Sequence, residues 1–154
     1  MRYDTLIPGR DRKRPESVLV TIYTADRQTL LLRRAGNPIW QSVTGSLLWE
    51  EEHPSQAARR EVEEETGIVA PSGWRDWQES RTFMIMPESR YRYGPGVTVN
   101  LEHVFSLEVS TAIDVRLNPR EHTEHQWVVI DQALEMVWSR TNFLALSHLK
   151  QELV

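Results

Sequence analysis

The chain reads as an α/β protein, a sandwich of helices around a mixed β-sheet. Three observations carry this. Apolar, β-branched runs alternate irregularly with helical patterns, as in Ser17–Thr24 (SVLVTIYT), the segment PSQAARREVEEET from Pro54, and Val99–Val109 (VNLEHVFSLEV). The 154 residues, 40% of them hydrophobic, suffice for one core around one sheet. No repeat, low-complexity tract or linker divides them, so 1–154 is expected to be a single domain, with residues 1–15 as a polar, basic arm over it.

In chain order, Ser17–Thr24 is a buried strand and Ala25–Gln28 a turn. Thr29–Arg34 (TLLLRR) is the second strand of a hairpin. Ala35–Pro38 is loop, and Trp40–Thr44 is short and extended. Pro54–Thr66 is the clearest helix. Pro54 suits a first helical position, where its missing N–H costs nothing, and Gly67 is placed to end the helix. Ala57, Ala58 and Val62 give it an apolar flank. Trp77–Met86 and Val99–Val109 read as strands around a Pro87–Gly96 loop. His125–Ile130 is another strand, Asp131 a cap for a helix over Gln132–Trp138, and Asn142–Leu153 a terminal helix.

Composition excludes several chemistries. With no cysteine there is no disulfide framework, thiolate zinc site, iron–sulfur cluster or cysteine nucleophile. The mean hydropathy is −0.50 and no long apolar run occurs, so the expected location is the cytoplasm and no membrane partner is expected. Net charge is −4, but Glu50–Glu65 holds seven carboxylates and two arginines, leaving about +1 for the remainder. A nucleic-acid partner is not expected, because that footprint needs a broad basic face.

On a helix Glu61 and Glu65 stand four residues apart and Glu64 lies between them in angle, so three carboxylates share roughly a 100° arc. Such like-charge pairs cost roughly 0.2–0.5 kcal/mol each on an exposed helix. Either the run is a solvated face, or something compensates it: a divalent cation such as Mg²⁺, which takes oxygen ligands, or nearby arginines.

Context favours the cation. Gly45-Ser46-Leu47-Leu48-Trp49-Glu50-Glu51-Glu52, followed by Arg60-Glu61-Val62-Glu63-Glu64-Glu65-Thr66-Gly67-Ile68, resembles the signature of Nudix hydrolases, G-x5-E-x7-R-E-U-x-E-E-x-G-U with U aliphatic. The second half matches at every fixed position. Six residues instead of five separate Gly45 from Glu52, and the extra one is expected in the Leu47–Glu50 loop, which tolerates insertion better than the helix does. The resemblance implies a Nudix-type α/β/α sandwich whose loop–helix–loop holds Mg²⁺, or Mn²⁺ in its place, against a diphosphate. It implies Glu61, Glu64 and Glu65 as metal ligands, Arg60 as the group orienting a carboxylate, and Glu52 as structural.

Further stretches are similar to one subgroup, the bacterial dihydroneopterin triphosphate pyrophosphatases, also described as dATP pyrophosphohydrolases. They are Lys13-Arg14-Pro15, Trp40–Ser46 (WQSVTGS), Arg90–Thr98 (RYRYGPGVT) and Glu121-His122 followed by Trp127. This resemblance implies that Glu121 reaches the metal, with Glu124 as a weaker substitute, and that Lys13, Arg33 and Thr44 bind substrate alongside the signature glycine Gly45. Arg34 is expected on the face opposite Arg33. Phe83–Met86 reads as core or as the flank of a flat ring. Trp40, Trp77 and Trp127 read as packing residues. His122 and His125 are read as packing, since no third soft ligand stands at zinc spacing.

The implied reaction is Mg²⁺-dependent cleavage of a small-molecule, nucleoside-triphosphate-like substrate, dihydroneopterin triphosphate or dATP, to the monophosphate and pyrophosphate. Glu64 and Glu121 contend for the general base. The alternatives are a housekeeping hydrolase of non-canonical nucleotides and a nucleotide-binding Nudix module without catalysis.

Overall fold

A computed structural model describes residues 12–51 and 53–153. Its strands are β1 (Glu16–Thr24), β2 (Gln28–Arg34), β3 (Trp40–Gln41), β4 (Val43–Ser46), β5 (Trp74–Met84), β6 (Val99–Val109) and β7 (His122–Val129). Its helices are α1 (Pro54–Thr66), α2 (Ile130–Met136) and α3 (Arg140–Glu152). The arm before Arg12 lies outside the described residues.

Among the described residues the strands form one mixed sheet in the order β3-β2-β1-β6-β5. β1 and β6 run parallel and the other pairings are antiparallel. One edge of β1 is shared: Ser17–Val20 pairs with β4, and Tyr23 pairs with Thr29 of β2. β7 closes the outer edge of β2, where Arg34 pairs with His122 across a register shift.

Alternation along β1 explains the layers. Val18, Val20 and Ile22 pack with Leu30, Leu32, Val43, Phe105 and the Ala57–Ala58–Val62 stripe of α1. Leu19 points to the other side with Val104 and Ala145 of α3, and Leu31 joins Ala133 of α2 and Leu146 of α3 there. Helices thus cover both faces, as expected. Burying Val62 completely is worth about 1.5 kcal/mol or more, which anchors the acidic helix to the sheet.

Most expected elements are present with shifted ends. α1 runs from Pro54 to Thr66 as read, and Gly67 ends it in the left-handed conformation, φ 76°. The extended Trp40–Thr44 segment is two strands broken at Ser42, because Asn142 of α3 binds Ser42 twice: Oδ1 accepts from its backbone N–H and Nδ2 donates to its Oγ. Asp131 does not cap α2 but sits inside its first turn, and the residue that caps a helix is Ser139, whose Oγ accepts from Asn142 N–H at the start of α3. The Pro87–Gly96 loop contains a 3₁₀ helix over Pro87–Arg92.

Candidate functional site

The site is built around the acidic face of α1. Arg60 organises it. Its Nε and Nη2 hold Glu51 in a fork at 3.1 and 3.0 Å, and its Nη1 donates to Glu61 at 2.8 Å and to Glu64 at 3.2 Å. Its Nη2 also reaches the Ser46 carbonyl at 2.9 Å, tying the helix to the end of β4. A planar guanidinium fixes carboxylate directions in a way a lysine cannot. Burial opposes ionisation of Glu51, but the Arg60 bonds and the Leu48 N–H outweigh it, and its carboxyl sits below the usual range.

The other carboxylates lack such compensation. Glu61 is 13% exposed, and burial, helped by the charges of Glu64 and Glu121, pushes its carboxyl up to about 7 despite Arg60. Glu65 is 3% exposed, its Oε2 has no hydrogen-bond partner among the described residues, and burial together with Glu61, Glu121 and Glu64 raises its carboxyl well above the ordinary value. Glu121 arrives from the start of β7, held by its carbonyl on the Ala35 N–H at 2.8 Å. One ligand atom each from Glu65, Glu121 and His122 lies within 4.8 Å of the others. His122 is 3% exposed, with Nε2 3.6 Å from Glu65 Oε1, and burial followed by the Arg34 charge lowers it to about 4, so it is a neutral imidazole at pH 7.

Gly45 joins this cluster to a cavity. A Cβ there would lie 2.1 Å from Glu61 Cδ, so only glycine lets the buried carboxylate rest against β4. The same glycine lines a cavity of about 580 Å³ that extends over Thr44, the Phe83–Met86 segment and the start of α3. Lys13, Arg34, Arg92 and Arg140 line it too, and none of the four has an ion-pair partner among the described residues. Lys13 is held by its N–H on the Arg92 carbonyl, and burial with the charges of Arg92 and Arg34 lowers its ammonium to about 8. Cations without ion-pair partners among the described residues, beside buried carboxylates that a single arginine only partly compensates, suit a polyanion bridged to the acidic face by a divalent metal.

Comparison with known proteins agrees. The model of the NUDIX domain matches residues 13–146. The chain belongs to the Nudix hydrolase family. A protein from Haemophilus influenzae and one from Escherichia coli strain K12, both named dihydroneopterin triphosphate diphosphatase, are each 38% identical to this Nudix chain over 139 residues. The match covers 87% of the chain and 86% and 91% of the two proteins respectively. The solved structure of the E. coli dihydroneopterin triphosphate pyrophosphohydrolase is 37% identical, with a TM-score of 0.82, and the match covers 89% of this chain and 95% of that one.

The family implies a divalent cation, and the Nudix helix here fits one. The orphaned Oε2 of Glu65, and the burial and mutual repulsion that raise Glu61 and Glu65, suit the oxygen ligands of a hard cation.

Of the residues singled out from sequence, the structure brings together Arg60, Glu61, Glu64, Glu65 and Glu121, and places Lys13, Thr44 and Gly45 along the adjoining cavity. It does not bring Arg33 there. Arg33 pairs with Glu124 at 3.4 Å, which occupies the weaker ligand candidate as well. Arg34 lines the cavity instead: it alternates with Leu30 and Leu32, which face α1, and its register partner is His122. Glu52 lies outside the described residues, and Glu51 takes the Arg60 fork. The spacing Gly45-x5-Glu51 is therefore intact, and the extra residue falls after Glu51, just before the helix, not within Leu47–Glu50. Sequence reading also passed over His122 as a member of the acidic cluster.

Proposed function

We propose that this chain hydrolyses a pterin or nucleoside triphosphate between the α and β phosphorus atoms, releasing pyrophosphate, with dihydroneopterin triphosphate as its preferred substrate. The single observation that carries the reaction class is the junction at Gly45 between the Glu61–Glu64–Glu65–Glu121 cluster and a cavity lined by four cations that have no ion-pair partner among the described residues. The named relatives at 38% identity support the pterin substrate.

In this reading Glu61, Glu64, Glu65 and Glu121 hold Mg²⁺, or Mn²⁺ in its place. The ion supplies neutralisation of phosphate charge and acidification of a water molecule. The chain's own groups do the rest. Arg60 keeps Glu61 and Glu64 pointed at one locus through its Nη1. Lys13 and Arg34 attract the triphosphate and set its position, so that most of the acceleration comes from orientation and charge. Glu64, 57% exposed, and Glu121, on the strand start opposite, are the two carboxylates open enough to accept a proton from water. Neutral His122 lies beside Glu65, its Nε2 3.6 Å from Oε1, with neither ring nitrogen hydrogen-bonded among the described residues, so it is available to the same ion. A polyanionic triphosphate does not cross membranes, which supports a cytoplasmic location for an enzyme that acts on it. Among the described residues no helix is long and apolar enough to cross a membrane.

The test is a substrate panel with product identification: dihydroneopterin triphosphate, dATP, dGTP, ADP-ribose and a dinucleoside polyphosphate, each with Mg²⁺. Pyrophosphate and a monophosphate are expected from the triphosphates, fastest from the pterin. Equal efficiency on ADP-ribose or the dinucleoside polyphosphate refutes the proposal. Glu64→Gln and Glu121→Gln then identify the base, and full activity in both removes the catalytic assignment.

A further inference from the structure

The cavity wall farthest in character from the phosphate-attracting cations is built of unpaired acceptors. Glu102 stands in the central strand β6, 4% exposed, lines the cavity, and leaves Oε1 without a hydrogen-bond partner among the described residues. Two residues before it, and therefore on the same face of the strand, Asn100 is 1% exposed. Its Nδ2 donates to Ser17 Oγ at 2.7 Å, and its Oδ1 has no partner among the described residues. A buried acceptor atom left without a donor is costly, about 1–3 kcal/mol, and native folds retain such atoms where something else pairs them. Burial raises the Glu102 carboxyl above its ordinary value, and the Thr141 hydroxyl and the Arg81 charge offset only part of that rise. The lining also carries apolar surface: Phe83, Met84, Met86 and Trp138 are exposed large side chains that line this same cavity. The cavity therefore offers apolar surface for a ring together with acceptors on its wall.

We infer that Glu102, with Asn100 beside it, is the specificity-determining residue that reads the ring of the substrate, selecting a heterocycle whose edge presents a ring N–H next to an exocyclic amino group. An ionised carboxylate pairs with two adjacent donors. The 2-amino-4-oxopyrimidine edge of a pterin or a guanine supplies both. An adenine or cytosine edge puts a ring-nitrogen acceptor beside its amino group, and that lone pair would face the carboxylate unpaired. A thymine edge flanks its single N–H with two carbonyls. This assignment rests on the triphosphate-hydrolase reading for the identity of the ligand, and it deepens that reading by ranking its substrates: pterin and guanine triphosphates above dATP.

Glu102→Gln tests it. The change preserves shape, removes a buried charge, and turns one acceptor into a donor that confronts the ring's own donors. Thermal unfolding and Mn²⁺ uptake of the variant are expected to match wild type or exceed it in stability. Binding of neopterin, the phosphate-free pterin, followed by its fluorescence, is expected to weaken about 30-fold or more, the size of a lost charge-assisted hydrogen bond. In hydrolysis, wild type is expected to prefer dGTP over dITP, which lacks only the 2-amino group, by about 10-fold, and the variant to lose that preference. Asn100→Asp, which keeps an acceptor at the same place, is expected to retain it. Unchanged neopterin binding in Glu102→Gln overturns the inference, and so does an equal fall on dGTP and dITP with their ratio preserved. If wild type hydrolyses no triphosphate yet binds neopterin through Glu102, the proposed reaction fails and the ring assignment stands.

Discussion

Glu61→Gln is expected to make the metal-free protein more stable above pH 7 while destroying its metal site. The wild-type carboxyl rises from 4.5 to about 7 on folding, with burial as the leading cause. Below about 4.5 it is protonated in both states. Between 4.5 and 7 the unfolded chain ionises while the folded one holds its proton, so stability falls as pH rises, and the loss is complete above about 7. At about 1.4 kcal/mol per tenfold change in proton affinity, that loss is about 3 kcal/mol. The group is 13% exposed, so solvent screening reduces it little. Glutamine carries no titrating charge and its Oε1 still accepts from Arg60. Denaturant unfolding in a chelator, at pH 4 and at pH 9, measures the difference between the two proteins. It is expected near zero at pH 4 and about 3 kcal/mol in favour of the variant at pH 9. Added Mg²⁺ is expected to stabilise wild type and leave the variant unmoved. A variant less stable than wild type at pH 9 without metal refutes the reasoning, because it shows a carboxylate that the apo fold favours.

Gly45→Ala is expected to fold with nearly wild-type stability, since the Glu61 carboxylate it strikes is a side-chain end, but to lose about tenfold in Mg²⁺ affinity as that carboxylate is displaced, measured by calorimetry. Arg60→Ala leaves Glu51, Glu61 and Glu64 without their common partner and is expected to cost about 3 kcal/mol, with Arg60→Lys restoring only part because it cannot form the fork; unfolding curves check both. Lys13, at about 8, loses its charge above that pH, so kcat/KM for a triphosphate is expected to fall as pH rises through 8 and Lys13→Arg to flatten the profile.

The acidic helix was legible because its signals are local. Pro54 and Gly67 mark its ends, and the spacing of Glu61, Glu64 and Glu65 fixes their face whatever surrounds them. β6 was legible for the same reason, as a run rich in β-branched and aromatic residues. Features that depend on distant partners were not. The break at Ser42 comes from Asn142, a hundred residues away, and α2 begins at Ile130, one residue before the expected cap Asp131, which therefore lies in its first turn. Alternation alone does not say which parity of β2 faces α1; the apolar partners of Leu30 and Leu32 decide it, and they put Arg34 at the cavity in place of Arg33. Glu51 and Glu52 are equivalent by spacing, and the Arg60 fork selects Glu51. One missed signal was present in the sequence. Glu102 and Asn100 interrupt a strand otherwise dominated by apolar residues, and polar residues on a central strand buried on both faces require a partner.

The central claim is that these carboxylates are gathered for a divalent ion delivered against a triphosphate. Titration with Mn²⁺, followed by the relaxation of solvent water protons, tests it most directly. The account predicts saturable uptake that tightens when a triphosphate is added and disappears in Glu65→Gln. A folded protein that leaves water relaxation at the value of free Mn²⁺, with triphosphate present, contradicts it.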